Sequence, residues 1–252
     1  MLQLLGQFNE YNCFNVSSLW ELLLLLIINY YFNIKVDVLN NVIFRCDMFK
    51  GNKVYIVNKN GIRRRFFGFI PGLNIYFKGK NSVVEIYEPI PRFSECKIKV
   101  KDSCFISIQT SQHKIKHLDI YGVSNQEFKI GKNFSCNSCK LTSDSESNLQ
   151  ILIGEDCMFA NNIILRTADS HSIYDKDTNE ILNFGKNIVI GNHVWLAGNV
   201  TVLKGVTINE NCVIGHGGII TKNCDANSVY AGCPAKKIKT NISWDRKSPD
   251  KH

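Results

Sequence analysis

The chain has 252 residues, 44% of them hydrophobic and 21% charged, with a formal net charge of +8. That is enough chain for one large or two modest cores in an ordinary globular composition, which sets aside a disordered or fibrous protein. The basic excess leans toward anionic partners (phosphates, acidic glycans, nucleic acid or a membrane surface) and serves solubility equally well.

From the N-terminus, "MLQLLGQFNE" has no basic stretch ahead of an apolar run and does not read as a secretory signal. The 10 cysteines are spread along the chain, so reduced thiols in a cytoplasm are expected. "LWELLLLLIINYYF", residues 19–32, reads as a helix with Ser17 or Ser18 as its cap. It carries Glu21 and falls short of the ~20 apolar residues of a membrane span. A buried or oligomer-facing helix is the expectation, with loose membrane association left open. Residues 1–70 show no repeat and read as a small α/β cap, with "RRR" at Arg63, Arg64 and Arg65 as a solvated basic face. "NSVVEIYE" and "CKIKV" look like irregular β coils. Cys136 and Cys139 in "CNSC" have metal or redox spacing, but a zinc site needs about two more ligands. Inward-facing structural cysteines are expected, and no metal site. "LTSDSESN", residues 141–148, is polar enough to leave the core as a loop.

From Ile190 the chain falls into sixes: "IGNHVW", "LAGNVT", "VLKGVT", "INENCV", "IGHGGI", "ITKNCD". Position one is Ile190, Leu196, Val202, Ile208, Ile214 and Ile220; position five is Val194, Val200, Val206, Cys212, Gly218 and Cys224. A short strand and a corner every six residues gives a triangular coil. The first positions stack inside and the small fifth positions fill the corners. Gly191, Ala197, Asn209 and Gly215 hold position two, where small or left-handed-tolerant residues are expected. Each coil bonds only to its neighbours, so the ends need caps. "IGEDCM", "FANNII" and "LRTADS" keep one register and "IGKNFS" another. The stretch 168–187 breaks the rhythm and displays His171 in "RTADSHSIYD". A coil domain over 71–240 and a tail over 241–252, ending in a disordered "SPDKH", complete the layout.

Three features, "DSHSIYD", the "HVW" about one coil later and the ending "AGCPAKKIK", resemble the hexapeptide-repeat acyltransferases. "TADSHSIYD" is most similar to the branch that O-acetylates bacterial surface polysaccharides, sialic acid and polysialic acid among them. The resemblance implies a mainly β protein, a left-handed parallel β-helix with the small N-terminal cap, using acetyl-CoA as acyl donor. It further implies three prisms packed as a homotrimer, with donor and acceptor meeting between subunits. It places the catalytic histidine at His171, the tryptophan lining the transfer site at Trp195, and the CoA groove at Gly198, Thr221, Lys222, Lys236 and Lys239. His216 departs from the pattern, standing where Ala or Ser is usual, so the groove is expected to narrow or gain a polar contact.

The chemistry fits a lone histidine. A neutral imidazole with a pKa near ~6.5 takes the sugar hydroxyl's proton as it attacks the thioester, contributing on the order of 10²–10⁴-fold. Asp169, Asp175 or a backbone carbonyl is expected to orient the ring, and the Gly198 N–H to hold the oxyanion. His193, in the regular repeat, is expected at an outward coil position. Gly215 and Gly217 are corner glycines and not a nucleotide loop. The leading expectation is an O-acetyltransferase on a cell-surface, acidic glycan, with no nucleic-acid partner. The alternatives are an N-acetyltransferase on an amino sugar or sugar nucleotide, and a non-catalytic β-helix scaffold or carbohydrate-binding protein.

Overall fold

A computed structural model describes residues 50–251 apart from Asp144. The expected helix at 19–32 and most of the expected cap lie outside the described residues. The described chain is a left-handed parallel β-helix built of short strands. Three sheets of eight, eight and seven strands form its faces. Each coil visits them in one order: Ile188–Ile190 on the first face, Trp195–Leu196 on the second, Thr201–Val202 on the third, then Thr207–Ile208 on the first again.

The repeat explains the packing. All six position-one side chains and the position-five residues Val194, Val200, Val206, Cys212 and Cys224 are buried in one continuous core. Parallel pairing aligns Ile130 with Ile153 and Ile153 with Ile190, so stretches out of phase in the sequence stack in space once the intervening residues leave as loops. Cys136 and Cys139 point inward as expected, and burial pushes the Cys136 thiol up to about 12. The eight described cysteines are free. No described helix is long and apolar enough to cross a membrane.

Five expectations need correction. The left-handed backbone sits at position four and not at position two: Asp156, Asn162, His193, Asn199 and Asn211 have φ between 54 and 61°, and Gly205 and Gly217 share the position. Position two is small because rungs crowd there; a Cβ on Gly191 would lie 2.6 Å from the Glu210 nitrogen. The prism starts earlier than residue 71, since Lys53–Val57 pairs in parallel with Val83–Tyr87 as its first rung. There Arg63–Arg65 folds back antiparallel on that strand, Arg63 meets the buried Glu85 at 2.8 Å, and "RRR" is therefore only partly a solvated face. Leu141, Thr142 and Ser143 belong to the buried strand Cys139–Ser143, because their side chains fit the core ladder, so the loop begins after them. The tail is no loose end. Residues 241–247 pack back on the prism, and Pro249–Lys251 forms a 3-10 turn.

Candidate functional site

His171 stands at the foot of a hairpin that leaves the corner between the third and first faces, between Ile163–Arg166 and Ile188–Ile190. The neck is closed by Lys186 N–H to the Thr167 carbonyl at 2.9 Å, and Tyr174 bridges Ile181. Ser170, just before the histidine, takes a left-handed φ of 70°, and the Arg166 guanidinium grips its hydroxyl at 2.5 Å. Such a conformation in a non-glycine residue persists only where its surroundings impose it.

Asp169 shares no hydrogen bond with the His171 ring in this chain. Its carboxylate takes hydrogen bonds from the Lys204 ammonium and from Asn183 Nδ2 at 2.9 Å, and Asn183 Nδ2 also reaches the His171 carbonyl at 2.8 Å. Lys204, helped by Asn183, holds the Asp169 carboxyl below the ordinary carboxylate range. Asp175 is spent on its own turn, accepting from the Asp177 and Thr178 N–H groups at 2.9 Å. The His171 side chain is exposed. An open hollow beside it is walled by Glu146, Ser170, Ser172, Asn183 and Phe184. Glu146 ties that wall down, both carboxylate oxygens accepting the Gly185 N–H at 2.8 Å. Lys204, Asn183 and Glu146 are the residues sequence reading missed. Only Lys204 left a signal: it holds position three of its hexapeptide, as Lys222 does one coil later, so both share the corner with the hairpin.

The other expected site residues divide among separate places. Thr221 and Lys222 follow Ile219–Ile220 and share the hairpin's corner. Gly198 and His216 lie at the corner between the second and third faces, stacked so that a Cβ on residue 198 would come within 3.0 Å of His216 Nδ1. His216 Nε2 also bonds Asn199 Nδ2 at 3.0 Å. Trp195 is half-buried on the second face, aligned with Met158 below and Val213 above. Lys236 and Lys239 are exposed on Ala235–Thr240, which closes that face as an antiparallel edge. The hairpin's corner is the one the second face does not touch, so one protomer does not bring His171 and Trp195 together.

His193 sits at the remaining corner, between the first and second faces, outward but not free. Nδ1 meets Asp156 Oδ2 at 2.7 Å, Nε2 meets the Trp244 carbonyl at 3.0 Å, and the ring stacks on Trp244 at 4.1 Å. An imidazole tied at both nitrogens is not offered to a substrate.

No protein-family model matches the chain. It is 38% identical over 96 residues to the polysialic acid O-acetyltransferase of Escherichia coli O1:K1 / APEC, covering 38% of this chain and 31% of that one. It is 38% identical over 99 residues to the polysialic acid O-acetyltransferase of Neisseria meningitidis, covering 39% and 46%. The chain thus spans less than half the length of these curated relatives. Among solved structures, the polySia-specific acetyltransferase NeuO superposes with a TM-score of 0.50 at 26% identity, over 78% of this chain and 91% of that one. The hexapeptide coils, the histidine-bearing hairpin that interrupts them and these likenesses place the chain in the hexapeptide-repeat acyltransferase family.

Proposed function

We propose that the chain is an acetyl-CoA-dependent O-acetyltransferase of a glycan, with His171 as general base, working as a homotrimer. The observation that carries this reading is the fixed presentation of one exposed histidine at the foot of a braced hairpin on a rigid prism. A thioester is already an activated acyl donor, so the missing component is a nucleophile. The acceptor hydroxyl attacks the acetyl carbonyl, its oxygen–carbon bond forms as the carbon–sulfur bond breaks, and the imidazole carries the hydroxyl proton to the departing thiolate. Lys204 and Asn183 serve this step indirectly, by holding the backbone on either side of the ring.

The residues suit acetyl-CoA as donor. Thr221 with Lys222 offers a hydroxyl and a cation beside the hairpin. Lys236 and Lys239 supply exposed charge for phosphates. The proposed trimer would account for the separation of His171 and Trp195, a neighbouring prism supplying in the cleft what one chain holds on different sides. The hairpin presents apolar surface for that contact, with Ile173 57%, Leu182 61% and Phe184 59% exposed. The acceptor is proposed to be acidic and sialic acid-containing, on the basic excess of the chain and on the two relatives named for polysialic acid.

The test is His171→Ala. Acetyl transfer should fall by roughly 10²-fold or more while acetyl-CoA affinity is kept, because the base acts in the transition state and not in donor binding. Full turnover in that variant removes His171 from the mechanism.

A further inference from the structure

The segment 241–247 runs down the corner between the first and second faces and meets the left-handed column there residue by residue. The Ile242 carbonyl accepts from Asn211 Nδ2 at 2.8 Å, and its N–H reaches the Asn227 carbonyl at 3.1 Å. Two residues on, Trp244 lies flat on His193 at an angle of 12°, its indole N–H donating to the His193 carbonyl at 2.8 Å. Two further on, Arg246 spreads over the lower coils. It donates to Ser135 Oγ at 2.8 Å, to Asp156 Oδ1 at 3.1 Å and to the carbonyls of Asn133, Asp156 and Cys157 at 3.1–3.2 Å. A planar guanidinium fixed on so many acceptors is a rigid anchor. What the strap carries to the second face is one indole: the Trp244 ring stands 5.9 Å from that of Trp195, tilted by 45°.

We infer that Trp244 is a positioning residue for acyl transfer, fixing the Trp195 indole, and that Arg246 is the clamp that keeps Trp244 there. This rests on the proposed function, in which Trp195 lines the transfer site. Trp195 projects from a two-residue strand, and the rungs next to it offer Met158, which is flexible, and Val213, which is stiff but small; neither presents a ring to stack on the indole. Trp244, held by its stacking partner, by its own N–H and by its carbonyl, supplies the missing wall. Aromatic pairs at this separation favour offset or tilted geometries over a face-to-face sandwich.

The experiment compares Trp244→Ala, Trp244→Phe and Arg246→Gln with the wild type in the full chain. It measures kcat, the KM for acetyl-CoA, melting, and the near-ultraviolet circular dichroism of the indole pair, which reports geometry without activity. Trp244→Ala and Arg246→Gln should each lose the paired-indole signal and about tenfold in kcat, with the acetyl-CoA KM within about twofold. Trp244→Phe, which keeps a ring against Trp195, should recover most of kcat. An Arg246→Gln or Trp244→Ala variant that loses the indole signal but turns over at the wild-type rate overturns the inference alone. So does a Trp244→Phe variant as slow as Trp244→Ala, since the strap then acts only as a structural brace. A wild type that transfers no acetyl to any glycan overturns the functional reading first, and this one with it.

Discussion

Lys204 shows how much of a site's geometry can rest on one cation. Its ammonium bonds the Asp169 carboxylate and, at 2.6 Å, the Asn183 carbonyl, so one cation pins both strands of the hairpin beside His171. Asp169 is depressed chiefly by that contact and then by Asn183. A folded value below the ordinary 3.8 means that the carboxylate is charged at any pH above that value. Its contribution is therefore complete from neutral pH down to the ordinary carboxylate range, and is lost as pH falls through the lower folded value. Amide hydrogen exchange over residues 171–184 should stay slow across that upper range and quicken only below it. In Lys204→Met the same amides should exchange quickly at neutral pH, and acetyl transfer should fall about tenfold from misplacement of the base. If Lys204→Met leaves both exchange and transfer at wild-type levels, the hairpin is braced by Glu146 and Arg166 alone.

At the scale of the element, the hairpin is an edge that one prism leaves uncovered. Ile173, Tyr174, Leu182 and Phe184 are all exposed on a segment of regular backbone bonding, with Leu182 N–H to the Ile173 carbonyl at 2.8 Å. If the proposed trimer packs through this edge, Leu182→Glu combined with Phe184→Glu should shift the particle to monomer in sedimentation and cost most of the acetyl transfer, while melting stays cooperative. An active monomer in dilute solution contradicts the shared site. The coils themselves are legible in the sequence because their physics is local: an inward side chain every six residues is needed whatever surrounds it, and Ile190 through Ile220 obey it. The left-handed residues are easily misplaced because Gly191 and Gly215 look like turn glycines, whereas the conformation falls on Asn199, Asn211 and even His193. The strap is illegible for a different reason. Arg246 and Asp156 are 90 residues apart and meet only because the coils stack them, and no periodicity in either segment announces the other. The same holds for Lys204 and Asp169, 35 residues apart. Asp169 suggests itself as the orienting partner because it is near His171 in the sequence, and nearness in sequence says nothing of which way its carboxylate faces.

At the scale of the whole molecule, the charge distribution speaks to the acceptor. The chain carries 30 Lys and Arg against 22 Asp and Glu, and several of these charges are already used inside the protein. Lys204 is spent on Asp169, Lys237 on Asp225, Lys129 on Glu127 and Arg246 on Asp156. Others project along the lower rungs of the face that carries Trp195, where Arg92 aligns with Lys114 and Ser94 with Lys116. On the proposed reading the donor's phosphates lie by the Lys236–Lys239 edge, which leaves the Arg92–Lys114 pair, on the lowest two rungs of the face that carries Trp195, without a donor role. On the proposal of an acidic acceptor, a carboxylated glycan lying along the prism would meet one rung about every 4.8 Å, these basic rungs among them. Attraction of this kind is screened over about 8–10 Å at physiological salt. The acceptor KM should therefore rise with ionic strength more steeply for a sialylated glycan than for its desialylated form, measured with acetyl-CoA saturating so that the donor's own phosphates drop out. Arg92→Gln with Lys114→Gln should flatten that slope for the sialylated acceptor and leave the acetyl-CoA KM alone. Equal KM values and equal salt slopes for the two acceptors would assign the basic ladder to solubility and point to a neutral polysaccharide or free sugar as the molecule that receives the acetyl group.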